Sequence, residues 1–270
     1  MVTRIITAVV ALLLLIPLLV FGGMWGAGAL FALICGFSVY EMLSCCGLLK
    51  KYYISVPSIL FATLCALIPI IGYPHTLLII GFCLAAVPFS LVCFLFVSVA
   101  AHKSIDPERL LMFFALALYI TAGFASLSLI RSLYGLWSVA LVLCVSWVTD
   151  TMAYFSGMLF GKRKLCPEIS PKKTVAGAIG GTIFGTLAGV AVYWIAFGTP
   201  LWGIMALPLS VVSQFGDLSA SVIKRRFGVK DYGKIFPGHG GVLDRFDSII
   251  PVSIMTALIL VAIDTFAWLL

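Results

Sequence analysis

The sequence predicts an all-α integral membrane protein with about nine transmembrane helices. Its mean hydropathy is +1.20, and hydrophobic residues make up 63% of its 270 residues whereas charged residues make up only 10%. A soluble domain needs a more polar surface than this composition provides. The apolar stretches are continuous, which disfavours the alternating strands of a β-barrel. At roughly 25 residues for a span and its turn, there is room for about nine or ten helices and no separate soluble domain.

Apolar runs of spanning length follow one another along the whole chain. The breaks between them contain glycine, proline or charged residues, and Arg131 marks the break between the fifth and sixth runs. The predicted spans are 4–22, 26–49, 55–73, 76–100, 109–130, 133–157, 175–197, 201–223 and 250–270.

The placement of basic residues predicts the orientation of these spans. With nine spans, the N-terminus and the even-numbered loops lie on one side, which then carries sixteen of the seventeen Lys and Arg residues, all but Arg131. By the positive-inside rule this side is the cytoplasm, so the N-terminus is cytoplasmic and the C-terminus lies outside. The net charge of +7 is explained by this orientation signal and by contact with anionic lipid, so no nucleic-acid partner is expected.

Two aspartates lie inside predicted spans, where a carboxylate is expensive. Asp150 and Asp217 fall in the sixth and eighth spans, each nearer the cytoplasmic end. A carboxylate at bilayer depth costs about 2.5–3.5 kcal/mol on insertion scales, so it is usually paired or functional. The similar depth of the two indicates one shared site. The alternatives are that Asp217 is a buried cap or forms an ion pair with a lysine, and that neighbouring hydroxyls satisfy Asp150. Glu41 and Asp264 are interpreted as packing or interface charges.

The stretch "KDYGKIFPGHGGVLDRFD", residues 230–247, is polar and glycine-rich between two apolar spans. Pro237 interrupts a helix, and the glycines allow positive φ and close approach of the backbone to a ligand. Irregular backbone at membrane depth is tolerated only where it packs on protein or lines a watery cavity. We therefore expect this loop to fold into the cytoplasmic mouth of the bundle. Asp244 and Asp247 would share one face if their segment is helical, with Arg245 directed towards an anion or a lipid headgroup.

Two basic, glycine-flanked segments lie on the same predicted side as these aspartates. The first ends the eighth span with Lys224, Arg225 and Arg226, and the second opens the seventh span as "SPKKTVAGAIGG", residues 170–181, where Ser170 is predicted to cap the helix. Carboxylate clusters suit Mg²⁺, which keeps waters and bridges to phosphate, and cationic clusters suit the phosphates themselves. The residues alone therefore predict an intramembrane enzyme of metal-assisted phosphate transfer, acting on a phosphorylated lipid or a nucleotide.

Residues 221–247 resemble the CDP-diacylglycerol synthase (phosphatidate cytidylyltransferase) family. The family pattern is a serine, then Lys-Arg, Lys-Asp, His-Gly-Gly and Asp-Arg-x-Asp. The matching positions here are Ser221, Lys224-Arg225, Lys230-Asp231, Gly233, Pro237, His239-Gly240-Gly241 and Asp244-Arg245-Phe246-Asp247. No position departs from the pattern in this stretch of 27 residues.

A second block, residues 150–181, also resembles the family. Its matching positions are Asp150, Ala153-Tyr154, Gly157, Gly161-Lys162, Ser170-Pro171, Lys173-Thr174 and Gly177. Met152 stands where the family often has a small residue, which is a mild departure. Strong motifs cover roughly residues 146–250, whereas the first hundred residues resemble the family only as apolar helices.

The resemblance implies transfer of the cytidylyl group from CTP to phosphatidic acid, giving CDP-diacylglycerol and diphosphate for phospholipid biosynthesis. It implies Mg²⁺ as the cofactor, with a second cation left open, and metal ligands Asp150, Asp217, Asp244 and Asp247. The implied catalytic residues are Asp217, Asp244, Asp247, Lys173, Lys224 and Arg225. The implied substrate-binding residues are Ser170, Lys172, Ser221, Lys230, Asp231, His239, Gly240, Gly241 and Arg245.

On this interpretation, residues 1–102 form N-terminal membrane helices, and residues 103–270 form catalytic helices with active-site loops at the cytoplasmic face. The protein is expected in the cell (inner or plasma) membrane, with a homodimer left open. Two other functions are alternatives. A CTP-dependent polyprenol or phytol kinase would transfer the γ-phosphate to an alcohol and need a general base. A transporter would be expected to show repeated halves, whereas the polar residues here crowd into the last half.

Overall fold

The computed structural model describes residues 2–73, 75–199, 201–236 and 240–269. It contains nine α-helices and two short β-strands within those ranges. Their bounds are α1 Val2–Val20, α2 Gly23–Cys45, α3 Tyr52–Ile71, α4 Thr76–Ala100, α5 Pro107–Phe160, β1 Lys164–Cys166, β2 Ser170–Thr174, α6 Val175–Phe197, α7 Ala206–Arg226, α8 Leu243–Phe246 and α9 Ile249–Leu269.

Helices account for 80% of the protein, in agreement with the predicted all-α class. Within the described residues, five helices are long and apolar enough to cross a membrane: α2, α3, α5, α6 and α7 with the turn before it. Two shorter apolar helical stretches, Ala85–Ala100 and Ile249–Thr265, accompany them. The protein is therefore a helical membrane protein.

Helix α5 contains both the fifth and the sixth predicted spans. Its 54 residues would extend about 80 Å as one straight helix, far more than the ~30 Å of a bilayer core. The backbone leaves the helical region at Gly135, where φ is 81° and ψ is −171°. The break predicted at Arg131 is therefore wrong by four residues, because the chain interrupts the helix where glycine tolerates positive φ and not at the charged residue.

The chain folds into two compact units. The first comprises the described residues up to Leu133 together with the segment from Asp231 to Asp244, and the second comprises Tyr134–Lys230 and Arg245 onwards. In the first unit, α2 packs along α3, which in turn contacts α4. The approach of α2 to α3 is close, since a Cβ on Gly36 would lie 2.6 Å from the Thr63 hydroxyl.

In the second unit, α6 packs against α5 and α7 through a row of glycines. The row consists of the buried residues Gly177, Gly181, Gly185 and Gly189. A Cβ on Gly181 would lie 2.8 Å from the carbonyl oxygen of Thr149 and 2.9 Å from the Ala153 side chain. Small residues let helix backbones approach closely in a membrane, where association depends on packing rather than on the hydrophobic effect. The row therefore fixes α6 against its neighbours.

A two-stranded hairpin precedes α6, which the sequence analysis did not predict. Strands β1 and β2 pair antiparallel with Lys164 opposite Thr174 and Cys166 opposite Ser170. The predicted cap at Ser170 is wrong, because Ser170 belongs to β2 and the helix begins at Val175. Thr174 is the N-cap: its backbone is extended, and its hydroxyl accepts a hydrogen bond of 3.1 Å from the Gly177 N–H.

The glycine-rich segment after α7 is irregular, as its composition predicts. No helix occurs between Arg226 and Leu243 in the residues that the structure describes, 227–236 and 240–242. Gly240 has φ of 82°, and the Phe236 N–H donates to its carbonyl at 2.9 Å. Residues 237–239, which include Pro237 and the predicted site residue His239, lie outside the described residues.

We expect Gly181→Val to lower the free energy of unfolding by about 1–3 kcal/mol, because the added methyl groups overpack the contact of α6 with α5. Thermal unfolding in detergent micelles measures this change. Gly81→Val in α4 is the matched control, since a Cβ at Gly81 meets no atom within 4 Å. Equal losses of stability in the two variants would contradict the proposed role of the glycine row.

Candidate active site

The second unit contains an ion pair at its polar centre. Lys173 Nζ lies 2.6 Å from Asp217 Oδ2, and the two side chains are 25% and 32% exposed. Partial burial strengthens such a pair relative to one in bulk water, because the surrounding dielectric is lower. Pairing of Asp217 with a lysine was one alternative left open by the sequence, and the structure shows that pair.

Three local features bring Lys173 and Asp217 together. The β1–β2 hairpin places Lys173 next to the capped start of α6. Gln214, one turn before Asp217 on α7, donates 2.9 Å and 3.2 Å hydrogen bonds to the Thr182 hydroxyl and the Ala178 carbonyl of α6. Gly216 allows α7 to approach the following segment, since a Cβ there would lie 2.7 Å from the Asp247 carbonyl oxygen. The pair is thus held by α6, α7 and the hairpin together.

Asp150 joins the same cluster from α5. Its Oδ2 accepts a 2.7 Å hydrogen bond from the Ser248 hydroxyl, which is 98 residues away in the chain. Asp150 also interacts electrostatically with Asp217, Lys173 and Arg245. The alternative in which adjacent hydroxyls satisfy Asp150 is therefore wrong, because the neighbouring Thr149 hydroxyl bonds Ser210 at 2.7 Å instead.

A second acid–base pair flanks this cluster. Lys224 Nζ lies 3.6 Å from Asp247 Oδ2, and both side chains are largely buried. Asp247 Oδ1 accepts a 2.9 Å hydrogen bond from the Ser248 N–H. Asp247 lies one residue beyond α8, so the helical condition under which Asp244 and Asp247 were predicted to share one face is met only as far as Phe246. The chain turns between α8 and α9, and that turn directs Asp247 towards the end of α7.

Asp244 lies in the first unit and is 7% exposed. Its Oδ2 accepts hydrogen bonds from the Tyr232 N–H at 2.8 Å and from the Gly241 N–H at 2.9 Å. A Cβ on Gly240 would lie 2.8 Å from the same oxygen. The carboxylate therefore organises the glycine-rich loop around itself.

Glu41 is the main site residue that the sequence analysis missed. It was interpreted as a packing or interface charge, but it is 2% exposed and accepts hydrogen bonds from the loop. Oε1 accepts a hydrogen bond of 2.9 Å from the Val242 N–H, and Oε2 accepts one of 2.8 Å from the Leu243 N–H. The signal in the sequence was an acidic residue inside an apolar span, which indicates a paired or functional group.

The other predicted site residues surround these clusters or lie apart from them. Arg225 is exposed, and its Nη1 donates to the Val229 carbonyl at 3.4 Å. Ser170 and Ser221 are half-buried. The remaining described members are exposed side chains: Lys172, Lys230, Asp231 and Arg245.

Carboxylates are the available ligands for a metal ion in the second unit. Asp150 and Asp217 are the pair whose charges interact there, and oxygen donors of this kind suit Mg²⁺. Among the described residues, no three His, Cys, Asp or Glu side chains are arranged to hold one metal ion.

A sequence profile of the Cytidylyltransferase family matches residues 2–263 of the chain. The chain belongs to the cytidylyltransferase family. It is 36% identical to the phosphatidate cytidylyltransferase of Staphylococcus saprophyticus over 267 residues, which cover 96% of this chain and 99% of that protein. It is also 36% identical to the phosphatidate cytidylyltransferase of Staphylococcus aureus (strain COL) over 250 residues, covering 91% of this chain and 93% of that protein.

A more similar but shorter match comes from another bacterium. This cytidylyltransferase-family chain is 46% identical to the phosphatidate cytidylyltransferase of Brucella abortus over 135 residues, which cover 48% of the chain and 50% of that protein. The family resemblance predicted from residues 150–181 and 221–247 is therefore confirmed, and it extends over nearly the whole chain.

We expect Thr174→Ala to lower the free energy of unfolding by about 1 kcal/mol and to lower turnover, because the lost N-cap loosens the strand that carries Lys173. Thermal unfolding in detergent measures the change in stability. The rate of cytidylyl transfer measures the change in turnover. Thr174→Ser retains the hydroxyl and is the matched control, with near-normal values expected for both. A Thr174→Ala variant as stable and active as Thr174→Ser would contradict this role of the cap.

Proposed function

We propose that the protein is a phosphatidate cytidylyltransferase, which converts CTP and phosphatidate to CDP-diacylglycerol and diphosphate. The observation that carries the proposal is the cluster of Lys173, Asp217 and Asp150 in a membrane helix bundle that belongs to the cytidylyltransferase family. Full-length relatives that bear this name support the choice of substrates. The product would feed phospholipid biosynthesis.

The chemistry requires neutralisation of phosphate charge more than it requires a protein nucleophile. An oxygen of the phosphatidate phosphate attacks the α-phosphorus of CTP in line. The bond from that phosphorus to the bridging oxygen breaks, and diphosphate leaves with the electron pair. Lys173 carries three N–H donors, so it can hold Asp217 and a phosphate oxygen at once. Lys224, held beside Asp247, supplies a second positive charge to the developing transition state.

Asp150 and Asp217 are the residues of the second unit that would hold Mg²⁺, and the loop carboxylate Asp244 stays a predicted metal ligand. Bound magnesium would supply charge neutralisation and orientation of the triphosphate. Lys173 orients Asp217, because its ammonium nitrogen lies 2.6 Å from Asp217 Oδ2. His239 stays a predicted substrate-binding residue.

The proposed topology has nine spans, a cytoplasmic N-terminus and an external C-terminus. It is supported by the segregation of basic residues and by helix bounds that follow the predicted spans. CTP is a cytosolic anion, so the site is proposed to face the cytoplasm of the cell membrane. Phosphatidate would reach it from the lipid phase, since its acyl chains remain in the bilayer. A homodimer is compatible with this proposal but is not required by it.

Purified protein in nanodiscs tests the proposed function directly. Incubation with CTP, phosphatidate and Mg²⁺ is expected to yield CDP-diacylglycerol and diphosphate in equal amounts, with little product when magnesium is chelated. Formation of a lipid phosphate with release of CDP would identify a kinase instead. No reaction in nanodiscs that contain correctly folded protein would contradict the proposal.

We expect Asp217→Asn to lower turnover by about 10²-fold or more, because the amide carries no charge for Lys173 or for a cation. The rate of CDP-diacylglycerol formation at saturating magnesium measures this loss. Glu168→Gln, which removes an exposed carboxylate from the hairpin turn, is the control and should retain wild-type activity. Near-normal turnover of folded Asp217→Asn would contradict the assignment.

The proposed orientation predicts which side of the membrane reaches the site. Ser221 lies one turn after Asp217 on α7 and is half-buried. In a background without the eight native cysteines, Ser221→Cys should react with membrane-impermeant thiol reagents from the cytoplasmic side only. CTP with magnesium should slow the reaction. Labelling from the external side would contradict the topology.

A further inference from the structure

Helix α2 reaches the glycine-rich loop through one buried carboxylate. Glu41 lies one turn before the end of α2 at Cys45, and it accepts hydrogen bonds from two consecutive backbone N–H groups, Val242 and Leu243. These partners follow Glu41 by 201 and 202 residues. A charged acceptor forms stronger hydrogen bonds than a neutral one, and a buried one is costly to leave unpaired.

Two glycines allow the loop to close around this carboxylate. A Cβ on Gly241 would lie within contact distance of both Glu41 oxygens, and a Cβ on Gly233 would meet Oε1 and lie 2.6 Å from the carboxyl carbon. The end of a glutamate side chain is ordinarily free to move aside. Here two hydrogen bonds fix it, so a side chain at either glycine would displace it from the loop backbone.

The Glu41 contacts adjoin those of Asp244. The N–H groups of Gly241, Val242 and Leu243 are consecutive in the chain, and the first donates to Asp244 whereas the next two donate to Glu41. The two carboxylates also repel one another electrostatically. Consecutive donors therefore hold two like charges close together, which makes the loop conformation depend on both.

We propose that Glu41 is a positioning residue that fixes residues 241–243 of the glycine-rich loop and thereby sets the carboxylate of Asp244 for the reaction. The inference deepens the proposed function and rests on it for the catalytic consequence. Glu41 touches the loop backbone and acts through Asp244, so it need not touch substrate. Glu41 thereby links α2 to Val242 and Leu243, which lie within the motif of residues 221–247.

The test compares Glu41→Gln with the wild-type protein. The amide keeps the size of the side chain but replaces one acceptor oxygen with a donor, which faces an N–H of the loop. We expect kcat for CDP-diacylglycerol formation to fall about tenfold or more, with a smaller change in the KM for CTP. Hydrogen exchange at residues 241–243 should rise about tenfold, whereas exchange in α6 and α7 should not change.

Asp264→Asn is the matched control. Asp264 is another carboxylate in an apolar helix, but it accepts a 2.6 Å hydrogen bond from the Tyr134 hydroxyl and makes no described contact with the loop. Its amide variant should keep wild-type kcat and wild-type exchange at 241–243. Gly233→Ala tests the contact between Glu41 and the loop while Glu41 stays in place. It should reproduce both effects of Glu41→Gln, the fall in kcat and the faster exchange at residues 241–243.

Each result decides the inference. Wild-type kcat and wild-type loop exchange in Glu41→Gln would overturn it, and so would a loss of activity with the loop amides still protected. If Glu41→Gln does not fold, Gly233→Ala decides by the same two readouts. If the wild-type protein forms no CDP-diacylglycerol, the proposed function fails separately. Hydrogen exchange at residues 241–243 then supports or overturns the positioning role of Glu41 by itself.

Discussion

The requirement that every partly or fully buried carboxylate accept hydrogen bonds or an ion pair determines how the polar clusters of this protein are built. In an apolar bundle an unpaired charge is far more costly than any single packing contact. Asp217 meets this requirement with Lys173, Asp150 with Ser248, and Asp247 with Lys224. Each partner comes from a different element, so the pairs add to the hydrogen bonds that Gln214 and Thr149 make between helices.

Close helix packing makes those pairs possible. The glycine row of α6 brings its backbone against α5 and α7, and the cap at Thr174 ends the hairpin where α6 begins. Lys173 is consequently placed next to Asp217 by a strand of the hairpin. A positively charged group held in place before substrate arrives needs little reorganisation during phosphoryl chemistry. The same packing that stabilises the bundle thus prepares its site.

The sequence predicted the helical membrane class, the family and the two motif blocks, because apolar runs and motif spacing are local properties. It did not predict the hairpin at 164–174, since pairing of two short strands depends on tertiary position. The break in α5 was placed at Arg131 although the backbone breaks at Gly135. Glu41 was missed as a loop partner for a related reason: its partners lie about 200 residues away, and no spacing rule connects them.

The position of a radioactive label in the product tests the central claim most directly. Purified protein with phosphatidate, magnesium and CTP labelled at either the α- or the γ-phosphate distinguishes which phosphorus is attacked. Cytidylyl transfer predicts that α-label appears in the lipid product and that γ-label appears only in diphosphate. Transfer of γ-label to lipid, or the absence of α-label from lipid with folded protein, would contradict the account.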